Sequence, residues 1–356
     1  MTHVWVISRA VFLLLSMRGM CAMVPKMQRF FLILILLFLS YIFPTPVWSK
    51  DYLYVSNTEA NLISVIDGDE GIVVREVPVG VEPCHIVVDH KGELIAVSHE
   101  EKRGEIWFLD RKTLRVENKV LLIEAKEGVT KTNCFFLAFS IDSRKLYAVN
   151  QFSGLLYVVD PVAGKVEKEI RLGKTKQMIG GIILSPDGRF LYISDVKNSR
   201  IFVLDTAGDV IYDHIVIDGA PWAIAVSPDG KFLYVADAGD LTLIIMDIET
   251  RKVTKRIPIG IQPTDAAISR DGRFVFVSSM ISYDITVIDT ELKEAVANIP
   301  VGAYPVGIVV SPDGKRVYVC NYNENTVSII DAESSRETVR VPTNSTPTKI
   351  AIYHSL

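Results

Sequence analysis

Residues 222–259 read WAIAVSPDGKFLYVADAGDLTLIIMDIETRKVTKRIPI. Four short runs alternate apolar and polar positions: Trp222 to Ser227, Phe232 to Asp237, Thr242 to Asp247 and Lys252 to Ile259. Alternation with period two marks a strand, and turn residues bound each run. Ser227-Pro228-Asp229-Gly230 suits the tight turn between the first two runs. Proline presets φ at the second turn position, aspartate bonds its own backbone, and glycine accepts positive φ. Asp247 can close the turn after the third run in the same way. Four strands of about six residues at this spacing describe one blade of a β-propeller.

The unit recurs along the chain. Ser-Pro-Asp-Gly stands at 185–188, 227–230 and 311–314, with Ser269-Arg270-Asp271-Gly272 as a variant. Seven aspartates end a third strand: Asp67, Asp110, Asp160, Asp205, Asp247, Asp289 and Asp331. Their spacings are 43, 50, 45, 42, 42 and 42 residues. Self-similarity at such a period is the mark of a repeat architecture, and seven units predict seven blades. Tyr52 to Asn57 matches a second strand, and Pro347 to Tyr353 matches a first strand. The C-terminal strand is therefore expected to complete the blade that the N-terminal strands begin, which closes the ring and removes free edges. The fold class is all-β: a seven-bladed propeller of four-stranded antiparallel blades over residues 50–356. No helix-periodic stretch after the leader suggests a second domain.

Residues 1–49 hold four basic residues (Arg9, Arg18, Lys26, Arg29) and no acid. Residues 30–43, FFLILILLFLSYIF, are too short to span a hydrocarbon core of about 30 Å as a helix. With Arg29 before them and Val47-Trp48-Ser49 after, they read as a secretory signal cleaved near Lys50. Met27 would open a signal of ordinary length by itself, so the true start is expected there. The alternative is a retained N-terminal anchor. No membrane span is expected after removal, and the mature chain is placed in the periplasm or another extracytoplasmic space.

The chain has 38 basic and 42 acidic residues, a net charge of −4, and without the leader it is more acidic still. A basic surface for nucleic acid is thereby disfavoured. Of four cysteines Cys21 falls in the leader, leaving Cys84, Cys134 and Cys320. There is no Cys-x-x-Cys-His for covalent haem and no zinc spacing, so neither a cofactor nor a metal is expected to be held by the chain's own motifs.

Tyr54-Val55-Ser56-Asn57, Val65-Ile66-Asp67, Val77-Pro78-Val79-Gly80 and the Ser-Pro-Asp-Gly turns resemble the YVTN family of β-propeller repeats. The resemblance covers the whole mature chain and is specific for fold rather than function. It implies relatives among surface-layer proteins, partners of quinone and haem dehydrogenases, and propeller subunits of exported multihaem complexes. Cofactor-free propeller subunits of the hydrazine synthase type are similar in size and architecture, though no motif singles them out.

Departures from the repeat mark candidate sites. From a third-strand aspartate to the next turn is 22 residues in most units, but 30 from Asp110 to Ser140 and 25 from Asp160 to Ser185. The extra residues lie in Glu124 to Lys131 and Gly173 to Met178, on the two sides of the third blade. They carry Lys126, Lys131, Lys174 and Lys176, and loop insertions concentrate on binding faces. These lysines, with His99 on a neighbouring turn, are the partner-face candidates; His99 is expected to be exposed. At the starts of the innermost strands His85, Asp265 and Lys349 share one layer with Phe136, Gly181, Ala223 and Gly307, and Trp222 lies one position earlier in its own strand. That layer should crowd the channel mouth, either as wet, charge-balanced groups or as a small-ligand site. Cys84 and Cys134 sit at neighbouring strand starts and would form a disulfide if their Cα atoms approach within about 7 Å; otherwise they are two buried thiols. Cys320 falls inside a strand, where Ala or Ser stands elsewhere.

The sequence thus reads as an exported, non-catalytic propeller, an interaction or scaffold subunit of an extracytoplasmic redox complex such as a multihaem enzyme. Its partners would be other protein subunits, among them haem or quinone redox proteins. The alternative is an enzyme or cofactor-holding propeller with a small ligand near His85, Asp265, Lys349 and Trp222.

Overall fold

The computed structural model describes residues 50–100, 104–122, 134–173 and 177–355. Blade 1 begins with β1 (Asp51–Asn57), β2 (Leu62–Asp67) and β3 (Ile72–Pro78). Blade 2 comprises β4 (Pro83–Val88), β5 (Leu94–His99), β6 (Glu105–Asp110) and β7 (Val116–Leu121). Blade 3 has β8 (Phe135–Phe139), β9 (Leu146–Asn150), β10 (Leu155–Asp160) and β11 (Lys165–Arg171). Blade 4 has β12 (Ile179–Leu184), β13 (Phe190–Asp195), β14 (Arg200–Asp205) and β15 (Val210–Val216). In blade 5 the strands are β16 (Pro221–Val226), β17 (Phe232–Asp237), β18 (Thr242–Asp247) and β19 (Val253–Pro258). Blade 6 contains β20 (Pro263–Ile268), β21 (Phe274–Ser279), β22 (Asp284–Asp289) and β23 (Glu294–Pro300). Blade 7 contains β24 (Pro305–Val310), β25 (Arg316–Asn321), β26 (Thr326–Asp331) and β27 (Arg336–Pro342). The last strand, β28 (Pro347–His354), returns to blade 1 as its innermost strand.

These are the seven four-stranded antiparallel sheets expected from the repeat. Closure is by β28, which pairs with β1 from Asp51↔His354 to Asn57↔Pro347. Innermost strands are neighbours in the order β4, β8, β12, β16, β20, β24, β28 and back to β4. Turns between second and third strands, and the connections between blades, share what we call the upper face. The Ser-Pro-Asp-Gly turns and the aspartate-capped turns share the lower face.

Local chemistry explains the turns. In the four Gly-containing turns of blades 4–7, Gly188, Gly230, Gly272 and Gly314 take φ of +73°, +72°, +78° and +74°, which only glycine adopts without strain. The Ser185 hydroxyl donates to Asp187 Oδ1 (2.5 Å) and accepts from Phe190 N (2.9 Å), and the other turns repeat the pattern. The third-strand aspartates cap their turns as expected: Asp160 Oδ1 accepts from Val162 N (2.9 Å) and Ala163 N (2.8 Å).

Burial follows strand position. Second and third strands are almost wholly buried, whereas outermost strands such as β11 are exposed along nearly their whole length. The apolar core is accordingly split between blades. Ala96, Ile106 and Phe108 of blade 2 pack on Phe135, Leu137 and Tyr157 of blade 3, and each other blade pair has an equivalent cluster. Second-strand polar residues add fasteners across the same interfaces. The Tyr147 hydroxyl donates to Asp209 Oδ1 of blade 4 (2.7 Å), and that of Tyr318 to Asp51 Oδ2 of blade 1 (2.7 Å). Ser98 Oγ donates to the Phe135 carbonyl of blade 3 (2.8 Å), and Ser194 Oγ to the Trp222 carbonyl of blade 5 (2.8 Å).

Removing one fastener should cost about 1–2 kcal/mol, because a buried acceptor loses its donor. Tyr147→Phe is therefore expected to lower the urea midpoint, while Tyr192→Phe, whose hydroxyl has no hydrogen bond among the described residues, stays near wild type. Equal effects of the two substitutions would contradict the assignment.

Candidate functional site

The channel mouth is built by the first residues of the innermost strands. Adjacent strands approach so closely there that a side chain cannot always fit: a Cβ on Gly180 would lie 2.5 Å from the Trp222 carbonyl oxygen. On Gly307 it would lie 3.0 Å from the Lys349 Cα. The bare backbone at Gly307 leaves room for a link over β24. Lys349 on β28 forms an ion pair with Asp265 Oδ2 on β20, two blades away in the ring. The same oxygen accepts from Ile308 N of β24 (3.1 Å), and Asp265 Oδ1 accepts from Ala266 N (3.0 Å). Both charged side chains are largely buried, so the pair is fixed by three strands rather than floating in solvent.

His85 does not join that pair. Its ring meets Phe136 edge-on at 5.5 Å, and Nδ1 has no hydrogen-bond partner among the described residues. Burial, and secondarily the positive charge of Lys349, holds its pKa well below the usual histidine value, so the imidazole stays neutral. Trp222 is half-buried and packs against the cluster between blades 5 and 6. Of the four mouth candidates the structure joins only Asp265 and Lys349. The layer therefore offers one self-neutralised pair and one neutral imidazole. Cys320 adds no nucleophile, because burial raises its thiol pKa far above neutral. Phe136, which fixes His85, was visible in the same register but reads as ordinary core until its partner is known.

Cys84 and Cys134 are joined by a disulfide with Cα atoms 5.9 Å apart, tying the start of β4 to the residue before β8. A carboxylate oxygen of Glu100 lies within 4.8 Å of both sulfurs. Bonded to each other, the sulfurs supply no thiolate for a metal.

His99 requires a correction. Expected to be exposed, it is fully buried at the end of β5, tilted against the Trp107 ring at 5.2 Å. The inter-blade connection covers it: a Cβ on Gly80 would come within 2.9 Å of the imidazole. Its Nδ1 lies 3.3 Å from the Glu105 carbonyl, and burial lowers its pKa to about 4. Since it is enclosed, it cannot contact a partner. The other second strands also end on polar residues, which divide in two: Asn150, Asp195 and Asp237 accept from nearby backbone N–H groups, whereas Asn57 and Asn321 turn inward to Ser64 and Ser328. Lys126, Lys131, Lys174 and Lys176 lie outside the described residues.

The Cytochrome D1 heme domain family matches residues 179–300 and 264–350, together slightly less than half of the chain. No curated protein matches the sequence significantly. Among solved structures, a chain of hydrazine synthase from Kuenenia stuttgartiensis is similar over 76% of this chain and 89% of its own, with 22% identity and a TM-score of 0.65. A dihydro-heme d1 dehydrogenase is similar over 82% of this chain and 64% of its own, with 15% identity and a TM-score of 0.63. A protein of unknown function from Desulfotomaculum acetoxidans shares 14% identity over 86% of this chain and 99% of its own, with a TM-score of 0.71. These likenesses agree on the propeller fold.

The matched family raises the question of a haem, which needs an axial ligand and counter-charges for its carboxylates. The only histidine in residues 179–350 is His214, exposed on the outermost strand β15. At the mouth His85 is packed against Phe136, and the one cation of its layer, Lys349, is already paired. Among the described residues the mouth layer thus sets no exposed histidine beside a free cation.

Two outcomes follow from the buried groups. An unfolded histidine titrates near 6.5, so below that pH the unfolded chain binds a proton at residue 99 that the folded chain refuses. The stability tied to His99 is complete above pH 6.5 and is lost as pH falls towards 4, by at most about 3 kcal/mol. His99→Asn should flatten that decline in urea unfolding at pH 7 and 4.5; an unchanged slope would refute the burial argument. In the chain from residue 50 onward, thiol counting in denaturant should find one reactive group before reduction and three after.

Proposed function

We propose that this propeller is exported and acts without catalysis of its own, as a protein-interaction subunit of a larger extracytoplasmic redox complex. The observation that carries the reading is the state of the channel mouth. Its acid and its cation neutralise each other, and its imidazole is buried, neutral and packed on a phenyl ring. A general acid or base must be free to exchange a proton with a substrate, and a cofactor needs unpaired polar groups to orient it. Among the described residues of the mouth the one buried, unpaired polar atom is His85 Nδ1, which is enclosed. A rigid ring with loops on one face is instead suited to presenting contact surfaces.

The chemical setting is supported by two likenesses, each of which says something about its own protein. One similar structure is a hydrazine synthase chain, and one is a dehydrogenase in complex with its haem compound. The residues here favour the role of a companion to redox chemistry rather than its seat. Export is supported by the leader-like composition of residues 1–49 and by a disulfide, a bond that persists in oxidising compartments. None of the described helices is long and apolar enough to cross a membrane.

Purified from its source, the chain should co-elute at fixed stoichiometry with at least one other polypeptide. Separated from it, the chain should show no absorbance above the protein band. A haem or flavin spectrum belonging to the isolated chain would overturn the proposal.

A further inference from the structure

The upper face over blades 6 and 7 brings two tyrosines and two half-exposed isoleucines together. Turns between second and third strands place their fourth residue in the left-handed region, where blades 1, 3 and 7 use Asn61, Gly154 and Asn325 and blades 4 and 5 use Ser199 and Leu241. Blade 6 has Tyr283 at φ +57°, a bulky residue in a conformation that disfavours it. In the connection to blade 7 the residue before the strand is Tyr304, left-handed at φ +58° as are Glu82, Gln262 and Thr346 at the same position of other blades. The two rings lie 5.7 Å apart. Beside them, Ile281 N donates to the Ile261 carbonyl (3.2 Å), which sets these two isoleucines next to each other. Ile261 and Ile281 are each 50% exposed and Tyr283 43%. At the turn position of Ile281, blades 1, 5 and 7 carry Glu59, Gly239 and Asn323, while blade 3 carries Phe152, and Val81 holds the position of Ile261 in the connection from blade 1.

The left-handed backbone belongs to the repeat; what distinguishes this sector is that two tyrosines and two half-exposed isoleucines meet in it. Tyrosine is enriched among the residues that dominate interfaces. The borders of the patch are acidic. On one side Arg256 is shared between Asp237 and Asp240, and on the other Arg340 is shared between Glu324 and Glu337. Asp284, beneath the patch, has no cationic partner among the described residues, so the surround carries excess negative charge.

Resting on the interaction role proposed above, we infer that Ile261, Ile281, Tyr283 and Tyr304 form the docking surface for a protein partner that presents apolar side chains bordered by lysine or arginine. The apolar centre supplies the contact, and the carboxylates select a basic rim and speed encounter. This is the upper face, in the sector across the ring from blade 3.

The strain makes a discriminating test possible. Tyr283→Asn installs the residue used at this position in blades 1 and 7, so its melting temperature should equal or exceed that of wild type. Tagged full-length chains would be isolated from the source organism as wild type, Tyr283→Asn, Ile281→Asp and the lower-face control Val162→Ser. Wild type and control should retain the same identified partner, and the two patch variants should retain at least tenfold less. A photo-crosslinker at position 281 should attach to a partner segment containing lysine or arginine, and retention should fall with rising salt. If wild type retains no partner, the interaction role itself fails. If wild type and both patch variants retain it alike, or the crosslinked segment is acidic, that role stands and the assigned surface is wrong.

Discussion

Each blade can bury its two faces only against its neighbours, and the rest of the structure depends on that constraint. Second and third strands are apolar on both sides because each side meets another blade, while outermost strands need only cover the edge. Without a central hydrophobic core, stability is a chain of interfaces that must close on itself. The pairing of β1 with β28 provides the closure, and polar groups at each end of the second strand secure it. The tyrosine near the lower face reaches the next blade's turn, and the serine near the upper face bonds the next blade's innermost strand.

The same closeness governs the channel mouth. Innermost strands come so close at Gly180 and Gly307 that a Cβ would collide with the neighbouring backbone, and over Gly307 Lys349 reaches Asp265. An ion pair held by three strands is a poor catalyst because its charges are already committed to each other. It is a suitable link between blades 1, 6 and 7, next to the junction where the ring closes. The upper-face turns, by contrast, can vary without disturbing the interfaces beneath.

Much of the fold was legible in the sequence because each repeat feature has a local cause. Ser-Pro-Asp-Gly marks a turn wherever it stands, and the spacing of the third-strand aspartates counts blades. The inter-blade roles of Tyr147 and Ser98 were not legible, since alternation shows that a residue is buried but not which neighbour it meets. His99 misled for a related reason: a histidine at a strand end reads as a turn residue until Gly80 is seen covering it. At the mouth, register alone placed His85, Asp265 and Lys349 in one layer, but it could not show that Phe136 holds the histidine apart. Tyr283 and Tyr304 escaped notice because φ has no signature in a tyrosine.

The most direct test of the account is a map of the native assembly by electron cryo-microscopy. The account predicts another polypeptide seated on the upper face, with the Lys349–Asp265 pair intact across a channel that holds only water. Density for a tetrapyrrole or another small ligand between β20 and β28, with that pair broken, would contradict it.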